Sequence, residues 1–240
     1  MAGMRLNIGL ERNEIEAALS LMVGRSNLLN AYVSMNASRG LPLPGSRDPR
    51  QCKNHFYAWC VPFIHVIKPE LAEEGASAWI AKSVRRIPSG SVDPRIKNYH
   101  WRDFTVGLFE AKDNNFETTI LLDYNNNVTE GPGFNLFSVK NGRLVTPDLG
   151  VLEGITRRTV LEICDELGYE VEIRTLPVSE FMQSDEIFIS TSGGGVAPLS
   201  KVDGYTIGDG TPGPVYQHLH KVYFEWTERP EHRTEINYNV

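Results

Sequence analysis

Four local patterns in this sequence bring together side chains that could do chemistry. Lys97 stands in Asp93-Pro94-Arg95-Ile96-Lys97-Asn98, and its neighbours Ile96, Tyr99 and Trp101 are partly apolar. Such a setting desolvates an ammonium, lowers its pKa and makes the amine a nucleophile, although a lysine taken by type alone is more often a solvated surface group. Glu130 lies in Val128-Thr129-Glu130-Gly131-Pro132-Gly133-Phe134-Asn135, an acid inside a strand-like segment followed by two glycines that admit close approach to the backbone. It reads either as a surface residue of a β-bulge or as a buried carboxylate, and a buried carboxylate needs a cationic partner such as a protonated ring nitrogen.

The other two patterns suit an anion. Gly150-Val151-Leu152-Glu153-Gly154-Ile155-Thr156-Arg157 runs from a loop into a helix start, where free N–H groups and the helix dipole favour negative charge. Thr156 as a helix cap is the plain structural reading, and one hydroxyl can serve both purposes. Ser190-Thr191-Ser192-Gly193-Gly194-Gly195 follows the apolar run Ile187-Phe188-Ile189 and reads as an anion nest or as a glycine-rich turn. It lacks GxGxxG spacing and a βαβ setting, which excludes a dinucleotide fingerprint. His218 and His220 lie two apart in a helical segment and do not share a face, so they make no joint metal site. Glu180, Asp185 and Glu186 have no lysine or histidine at informative spacing and read as solvated groups or local caps. No Ser-His-Asp arrangement is legible.

The elements that must position these residues follow from periodicity. An Asn13 N-cap with Glu16 three residues on, then Ile15, Leu19 and Met22 on one face, predicts a helix to about Val23. Residues 31–37 and 56–66 read as strands, and the Gly- and Pro-rich stretch 39–54 between them as a lid or substrate loop. A strand over 76–84, a helix capped by Asp103, a strand over 118–123 and a turn at 124–127 come next. Lys140-Asn141-Gly142-Arg143 between apolar runs predicts a type I′ hairpin, because Asn-Gly supplies two positive φ angles. A helix from Thr156 to Leu167 ending on Gly168, strands over 170–174 and 185–191, and a helix over 214–226 complete an α+β pattern without regular βαβ alternation. The polar stretch 67–75 divides the chain into residues 1–66, a linker 67–75 and residues 76–240.

Composition narrows the function. With 240 residues and 41% hydrophobic content the chain can bury a core, and a formal charge of -6 gives no general attraction to nucleic acid or an anionic membrane. Cys52, Cys60 and Cys164 suggest neither a disulfide framework nor a zinc site. The start has no apolar h-region, and no apolar run approaches the ~20 residues of a membrane helix. The expectation is a cytoplasmic protein with a small-molecule substrate and no bound metal.

The order lysine, Glu-Gly-Pro-Gly-Phe-Asn, Gly-Ile-Thr-Arg, Thr-Ser-Gly-Gly-Gly closely resembles the class IV, branched-chain-type pyridoxal-phosphate aminotransferases, and among them most the (R)-selective amine transaminases. The similarity runs from about Val84 to Asp209 and includes Arg85-Arg86, Asp93-Pro94, Ile96-Lys97-Asn98, Trp101, Gly107-Leu108-Phe109-Glu110-Ala111, Asp185-Glu186-Ile187-Phe188 and Asp203-Gly204. It implies fold type IV with two mixed domains, the cofactor pyridoxal 5′-phosphate, and amino-group transfer between a primary amine or amino acid and a 2-oxo acid such as pyruvate. By the same resemblance Lys97 is the catalytic Schiff-base lysine and Glu130 the partner of the ring nitrogen. Ile155, Thr156, Thr191 and Ser192 bind the phosphate, while Tyr32 and Trp101 line the substrate pocket. A branched-chain or D-amino-acid aminotransferase, a class IV lyase, and a truncated relative of little activity are the alternatives. Ser34 stands where many (R)-amine transaminases have an acid, and Arg39, Arg47 and Arg50 are equal candidates for a carboxylate-binding loop arginine. The family's segment ahead of the Glu14 helix, with its phosphate-binding arginine, has no counterpart here, since Arg5 does not match that motif; the small domain is expected to be incomplete, and a homodimer to form where it is completed.

Overall fold

The computed structural model describes residues 2–240. The chain divides into two units, one of residues up to Ile64 together with Thr234–Val240 and one of His65–Arg233. The division therefore precedes the 67–75 stretch. Ile67 is buried in the core of the second unit and Leu71 packs against it, so this segment is part of that unit's wall rather than a free linker.

In the first unit, helix α1 (Arg12–Ser26) precedes an antiparallel pair, β1 (Ala31–Ser38) and β2 (His55–Pro62), registered from Ala31↔Pro62 to Ser38↔His55. The N-cap is Glu11 rather than Asn13. Glu11 and Glu14 form a reciprocal capping box in which the Glu11 N–H donates to Glu14 Oε2 at 2.8 Å, and two carboxylates at a helix start also suit its dipole. Ile15, Leu19 and Met22 are among its half-buried residues. The 39–54 loop is closed at its base by Asn54, whose amide donates to the Arg39 carbonyl at 2.9 Å. Strand β2 stops at Pro62, short of the expected 66.

The second unit is a mixed eight-stranded sheet. Its elements are β3 (Ala76–Ile80), α2 (Arg102–Asp113), β4 (Thr118–Ile120), β5 (Asn135–Lys140), β6 (Arg143–Thr146), α3 (Ile155–Leu167), β7 (Val171–Ile173), α4 (Val178–Phe181), β8 (Glu186–Thr191), β9 (Gly195–Val202), β10 (Tyr205–Thr206) and α5 (Pro214–Thr227). The strand order is β4-β3-β9-β8-β5-β6-β7, with β10 paired to β9. Pairing is parallel at β3/β4, β3/β9 and β6/β7 and antiparallel at the other junctions. This is the α+β architecture that the pattern of elements predicts.

Both faces of the sheet are buried, so the central strands carry apolar side chains on both faces, which alternate between two cores. On β8, Ile187 and Ile189 enter the core that contains Ile80 and Leu136, while Phe188 enters the one built with Val160, Ile163, Tyr216 and Leu219 of α3 and α5. The Asn141-Gly142 turn has φ of 51° and 78°, as a type I′ turn requires. No helix among the described residues is long and apolar enough to cross a membrane.

Strand β3 ends at Ile80, four residues before the expected end, because the chain exchanges ladder pairing for one carboxylate. The N–H groups of Lys82 and Ser83 donate to Glu110 of α2 at 2.7 and 2.9 Å, joined by the Trp79 indole at 3.2 Å and the Ser83 hydroxyl. Burial opposes ionisation of Glu110, but these four donors outweigh it and hold its pKa at about 2. Since the folded value lies below the ordinary 4.5, the stabilisation is fully present above that pH and is lost as pH falls towards 2. Glu110→Gln should therefore cost about 1–2 kcal/mol in urea unfolding at pH 7 and much less near pH 3, where the wild-type carboxylate also loses its advantage. A difference independent of pH would show that the charge is not what matters.

Candidate active site

The segment between β3 and α2 carries Lys97 on a frame of local hydrogen bonds. Asp93 pairs with Arg95 at 2.9 Å, and its carbonyl accepts from Ile96 N–H at 3.2 Å. Asn98 donates to the Ile96 carbonyl at 2.7 Å and accepts from His100 N–H at 2.9 Å. Lys97 itself is exposed, as are Tyr99 and Trp101, so the apolar shield expected from these neighbours is not closed over it. Trp101 occupies the N-cap of α2, lies edge-on to Phe104 at 5.5 Å, and faces Gly133.

Glu130 is buried, not a surface residue of a bulge. It is part of a charge cluster with Arg86 and Asp103, which are 5%, 7% and 4% exposed respectively. Arg86 donates to Glu130 Oε1 through Nε at 3.2 Å and Nη2 at 3.0 Å, and to Asp103 Oδ2 through Nη1 at 2.6 Å. Its guanidinium also lies 4.3 Å from the centre of the Phe104 ring. Asp103 is thus not the helix cap but a first-turn acid that also accepts from Ile87 N–H at 3.0 Å. The other Glu130 oxygen accepts the Leu152 N–H at 2.8 Å and the Asn135 amide at 3.4 Å. Burial raises the Glu130 pKa, opposed by the Leu152 N–H, by Arg86 and by the charge of Lys97. Lys97 is therefore near enough to act on Glu130 electrostatically. The close backbone approach expected after Glu130 is present at Gly131, where a Cβ would stand 2.0 Å from the Phe134 ring and 2.5 Å from the Thr119 carbonyl oxygen.

Helix α3 starts at Ile155 with Gly154 as N-cap and no side-chain cap, so its first-turn N–H groups remain available. Thr156 is not the cap; it is a buried residue of the first turn. Ile155 is exposed and offers its backbone N–H rather than its side chain. Thr191 ends β8 and pairs with Gly195 of β9 across a three-residue loop. The Thr191 hydroxyl donates to the Gly133 carbonyl at 2.7 Å and accepts the Gly193 N–H at 3.1 Å, while Ser192 is exposed. Ser190, on the Phe188 side of β8 that faces α3 and α5, has a buried hydroxyl with no partner among the described residues. Tyr32 belongs to the first unit, where its ring lies edge-on to Phe63 at 6.3 Å. Of the loop arginines in that unit, Arg39 donates to the Met4 carbonyl and Arg50 pairs with Asp48 at 2.6 Å, whereas Arg47 makes no ion pair with a described residue.

Several contributors escape sequence reasoning. Arg86 and Asp103 look like ordinary charges, and only the apolar neighbours of Asp103, Trp101 and Phe104, hint at burial. Glu186 is buried and accepts the N–H groups of Val215 and Tyr216 at 3.1 and 2.8 Å, capping α5 from the neighbouring strand. His218 and His220 are engaged with Tyr169 at 2.9 Å and with the Val196 carbonyl at 2.9 Å, and no group of three or more metal-ligating side chains occurs among the described residues.

The second unit thus carries a loop amine, a buried carboxylate and a helix start with free N–H groups. The family model for amino-transferase class IV matches residues 2–202, so the chain belongs to the class IV aminotransferases; it is an aminotransferase of fold type IV. A provisionally named branched-chain-amino-acid aminotransferase of Methanocaldococcus jannaschii is 31% identical over 217 residues, covering 89% of this chain and 73% of that protein. The branched-chain amino acid aminotransferase of Thermobaculum terrenum, solved in its pyridoxal-phosphate holo-form, superposes with a TM-score of 0.86 at 26% identity over 97% of this chain and 76% of its own. The Escherichia coli branched-chain amino acid aminotransferase gives a TM-score of 0.88 at 27% identity, over 93% and 74%.

The charge cluster yields a stability test. Arg86→Met would leave two buried carboxylates unpaired and should cost about 3–5 kcal/mol in denaturant unfolding at pH 7, whereas Arg86→Lys, which keeps the charge but not the fork, should cost less. Equal losses for the two variants would show that charge neutralisation is not the function of Arg86.

Proposed function

We propose that the protein is a pyridoxal 5′-phosphate-dependent transaminase that moves an amino group between a primary amine or amino acid and a 2-oxo acid such as pyruvate. The observation that carries this reading is Glu130, a buried carboxylate tied to the Leu152 backbone and within electrostatic reach of the Lys97 amine.

The residues present fit the cofactor. A carboxylate has about four lone-pair sites, and the Asn135 contact at 3.4 Å is at the limit of a hydrogen bond, so Glu130 Oε2 can accept one more N–H donor. Burial also raises its pKa, which a cationic donor would counter. The uncapped start of α3 and the Thr156 and Ser192 hydroxyls are a donor set for a dianion, and the orphaned Ser190 hydroxyl lies on the same α3-facing side of β8. When bound, pyridoxal 5′-phosphate supplies an aldehyde that condenses with amines and a ring that accepts the electron pair left by a broken Cα–H bond.

The chain's own residues then divide the work. Lys97 Nζ, on a long and exposed side chain, holds the cofactor at rest and afterwards moves a proton, taking it as a neutral amine and returning it as an ammonium. Glu130 keeps a ring nitrogen protonated. Ile155, Thr156, Thr191 and Ser192 grip the phosphate, and Trp101 walls the substrate side. Two donor classes have support: the solved neighbours are branched-chain amino acid aminotransferases, while Ile96-Lys97-Asn98 and Trp101 resemble the (R)-amine transaminases. A second copy of the chain is the proposed macromolecular partner and the cytoplasm the proposed compartment; exposed Leu29, Met35 and Leu41 support association.

Borohydride reduction of the purified protein should fix a pyridoxyl label on Lys97, located by peptide mass spectrometry, and label on another lysine or on none would defeat the assignment. Lys97→Ala should lower kcat by about 10²–10⁴-fold. A spectrophotometric half-reaction with L-leucine, a D-amino acid and an (R)-amine separates the donors, because only the true donor bleaches the band of the lysine-bound cofactor.

A further inference from the structure

The Thr191 hydroxyl cross-links two loops that lie 58 residues apart in the chain. It donates to the Gly133 carbonyl at 2.7 Å and accepts the Gly193 N–H at 3.1 Å, and the residue is buried. On one side of this link is the turn Gly131-Pro132-Gly133-Phe134. There the Phe134 N–H donates to the Gly131 carbonyl at 3.3 Å and Gly133 has φ of 85°, the type II pattern of proline followed by glycine. The turn directly follows Glu130, and Gly133 faces Trp101 and Val66: a Cβ on it would stand 3.7 Å from Trp101 Cη2 and 3.9 Å from Val66 Cγ2. On the other side is the hairpin loop that carries Ser192, whose Gly193 carbonyl accepts the Val66 N–H at 2.8 Å. Val66 thus touches both loops, and Thr191 ties them to each other.

We infer that Thr191 is a positioning residue whose hydroxyl holds the Gly131–Phe134 turn, and with it the surface that Trp101 faces, in register with the hairpin loop of Ser192. The chemical reason is that a hydroxyl has one proton. Thr191 gives that proton to the Gly133 carbonyl, so none remains for an anion. Its part in the grip on phosphate is therefore to hold the loop of Ser192, and its separate effect falls on the substrate wall. A wall that drifts loses contact with the bound substrate and with the transition state alike, which raises KM more than it lowers kcat.

The inference rests on the proposed roles of Trp101 and Ser192, and the test separates it from them. Thr191→Val keeps the volume and removes the hydroxyl, Thr191→Ser keeps the hydroxyl, and Ser192→Ala probes the phosphate side. Should Thr191→Val not fold, Thr191→Cys takes its place against Thr191→Ser, because a thiol is a weak donor. The cofactor-free chains are compared for hydrogen exchange at the Gly193 N–H and for affinity towards pyridoxal 5′-phosphate and towards pyridoxal. The loaded enzymes are compared for KM and kcat with the donor that bleaches the band of the lysine-bound cofactor. Thr191→Val is expected to speed exchange at Gly193 about tenfold and to keep the ratio of the two affinities within about twofold of wild type. It should raise KM about fivefold with a smaller change in kcat, and Thr191→Ser should restore all three readouts. Ser192→Ala should instead lower the affinity ratio about fivefold. Selective loss of pyridoxal 5′-phosphate in Thr191→Val would make the hydroxyl a direct phosphate ligand and overturn the inference, while the phosphate-site reading stands. An unchanged KM, or a Thr191→Ser variant no better than Thr191→Val, overturns it as well. If Ser192→Ala leaves the affinity ratio unchanged, the phosphate role of Ser192 fails and the KM result still decides the role of Thr191. If the wild-type chain binds neither compound, the proposed function fails, and the inference with it.

Discussion

A buried arginine between two buried carboxylates is the constraint around which the second unit is arranged. Arg86 reaches Glu130 with one edge of its guanidinium and Asp103 with the other, while Phe104 covers its face. Removing three charges from water is costly, and an apolar cluster of the same volume would usually be as stable or more so. What the cluster supplies is position. It ties the segment after β3, the first turn of α2 and the segment before β5 to one point, and it keeps a carboxylate in place in a setting that would otherwise favour its protonation. Asn135 and the Leu152 N–H extend the same hydrogen-bonded set to the loop that enters α3.

From that loop the organisation passes to the start of α3 and the β8–β9 hairpin. Asn135 donates to the Leu152 carbonyl at 2.8 Å and sits opposite Ser190 across the β5/β8 pair, so the Glu130 region and the end of β8 share neighbouring strands. Arg157, also buried, donates to the Thr146 hydroxyl and the Pro147 carbonyl, both at 3.0 Å, and so fixes the first turn of α3 to the end of β6. Rigid strands and helix termini thus hold the charged and hydroxyl groups, while Lys97 stands exposed on a loop braced by Asp93 and Asn98. That division suits the proposed chemistry, in which binding groups need fixed geometry and a proton-transferring amine needs reach.

Much of the fold is legible in the sequence because it depends on local signals. Apolar periodicity places α3 and α5, Asn141-Gly142 sets the hairpin turn, Gly168 ends α3 with φ of 73°, and Lys97, Glu130, Thr156 and Thr191 stand in ordered motifs whose residue types announce the chemistry. The readings that required correction are those in which a distant partner decides. The one local exception is the start of α1, where Asn13 yields the cap to Glu11 because Glu14, three residues on, reciprocates. β3 stops at Ile80 because Glu110, 27 to 28 residues on from Ser83 and Lys82, takes their N–H groups. Asp103 becomes a buried counter-ion because Arg86 is there to pair with it, and Glu186 becomes a helix cap because α5 starts against β8.

The sequence by itself determined which chemical groups the site would contain, since an amine, a carboxylate and hydroxyls next to free backbone N–H groups are properties of residue type and local spacing. Only the tertiary structure decided which carboxylate is buried and by what it is held, which first-turn acid ion-pairs, and that a carboxylate on β8 caps the last helix. Burial and hydrogen-bond partnership depend on contacts between segments tens of residues apart, and no window of local sequence contains both partners. Lys97 shows the division most plainly: its identity could be read from its motif, but its exposure and its electrostatic reach to Glu130 came from the fold.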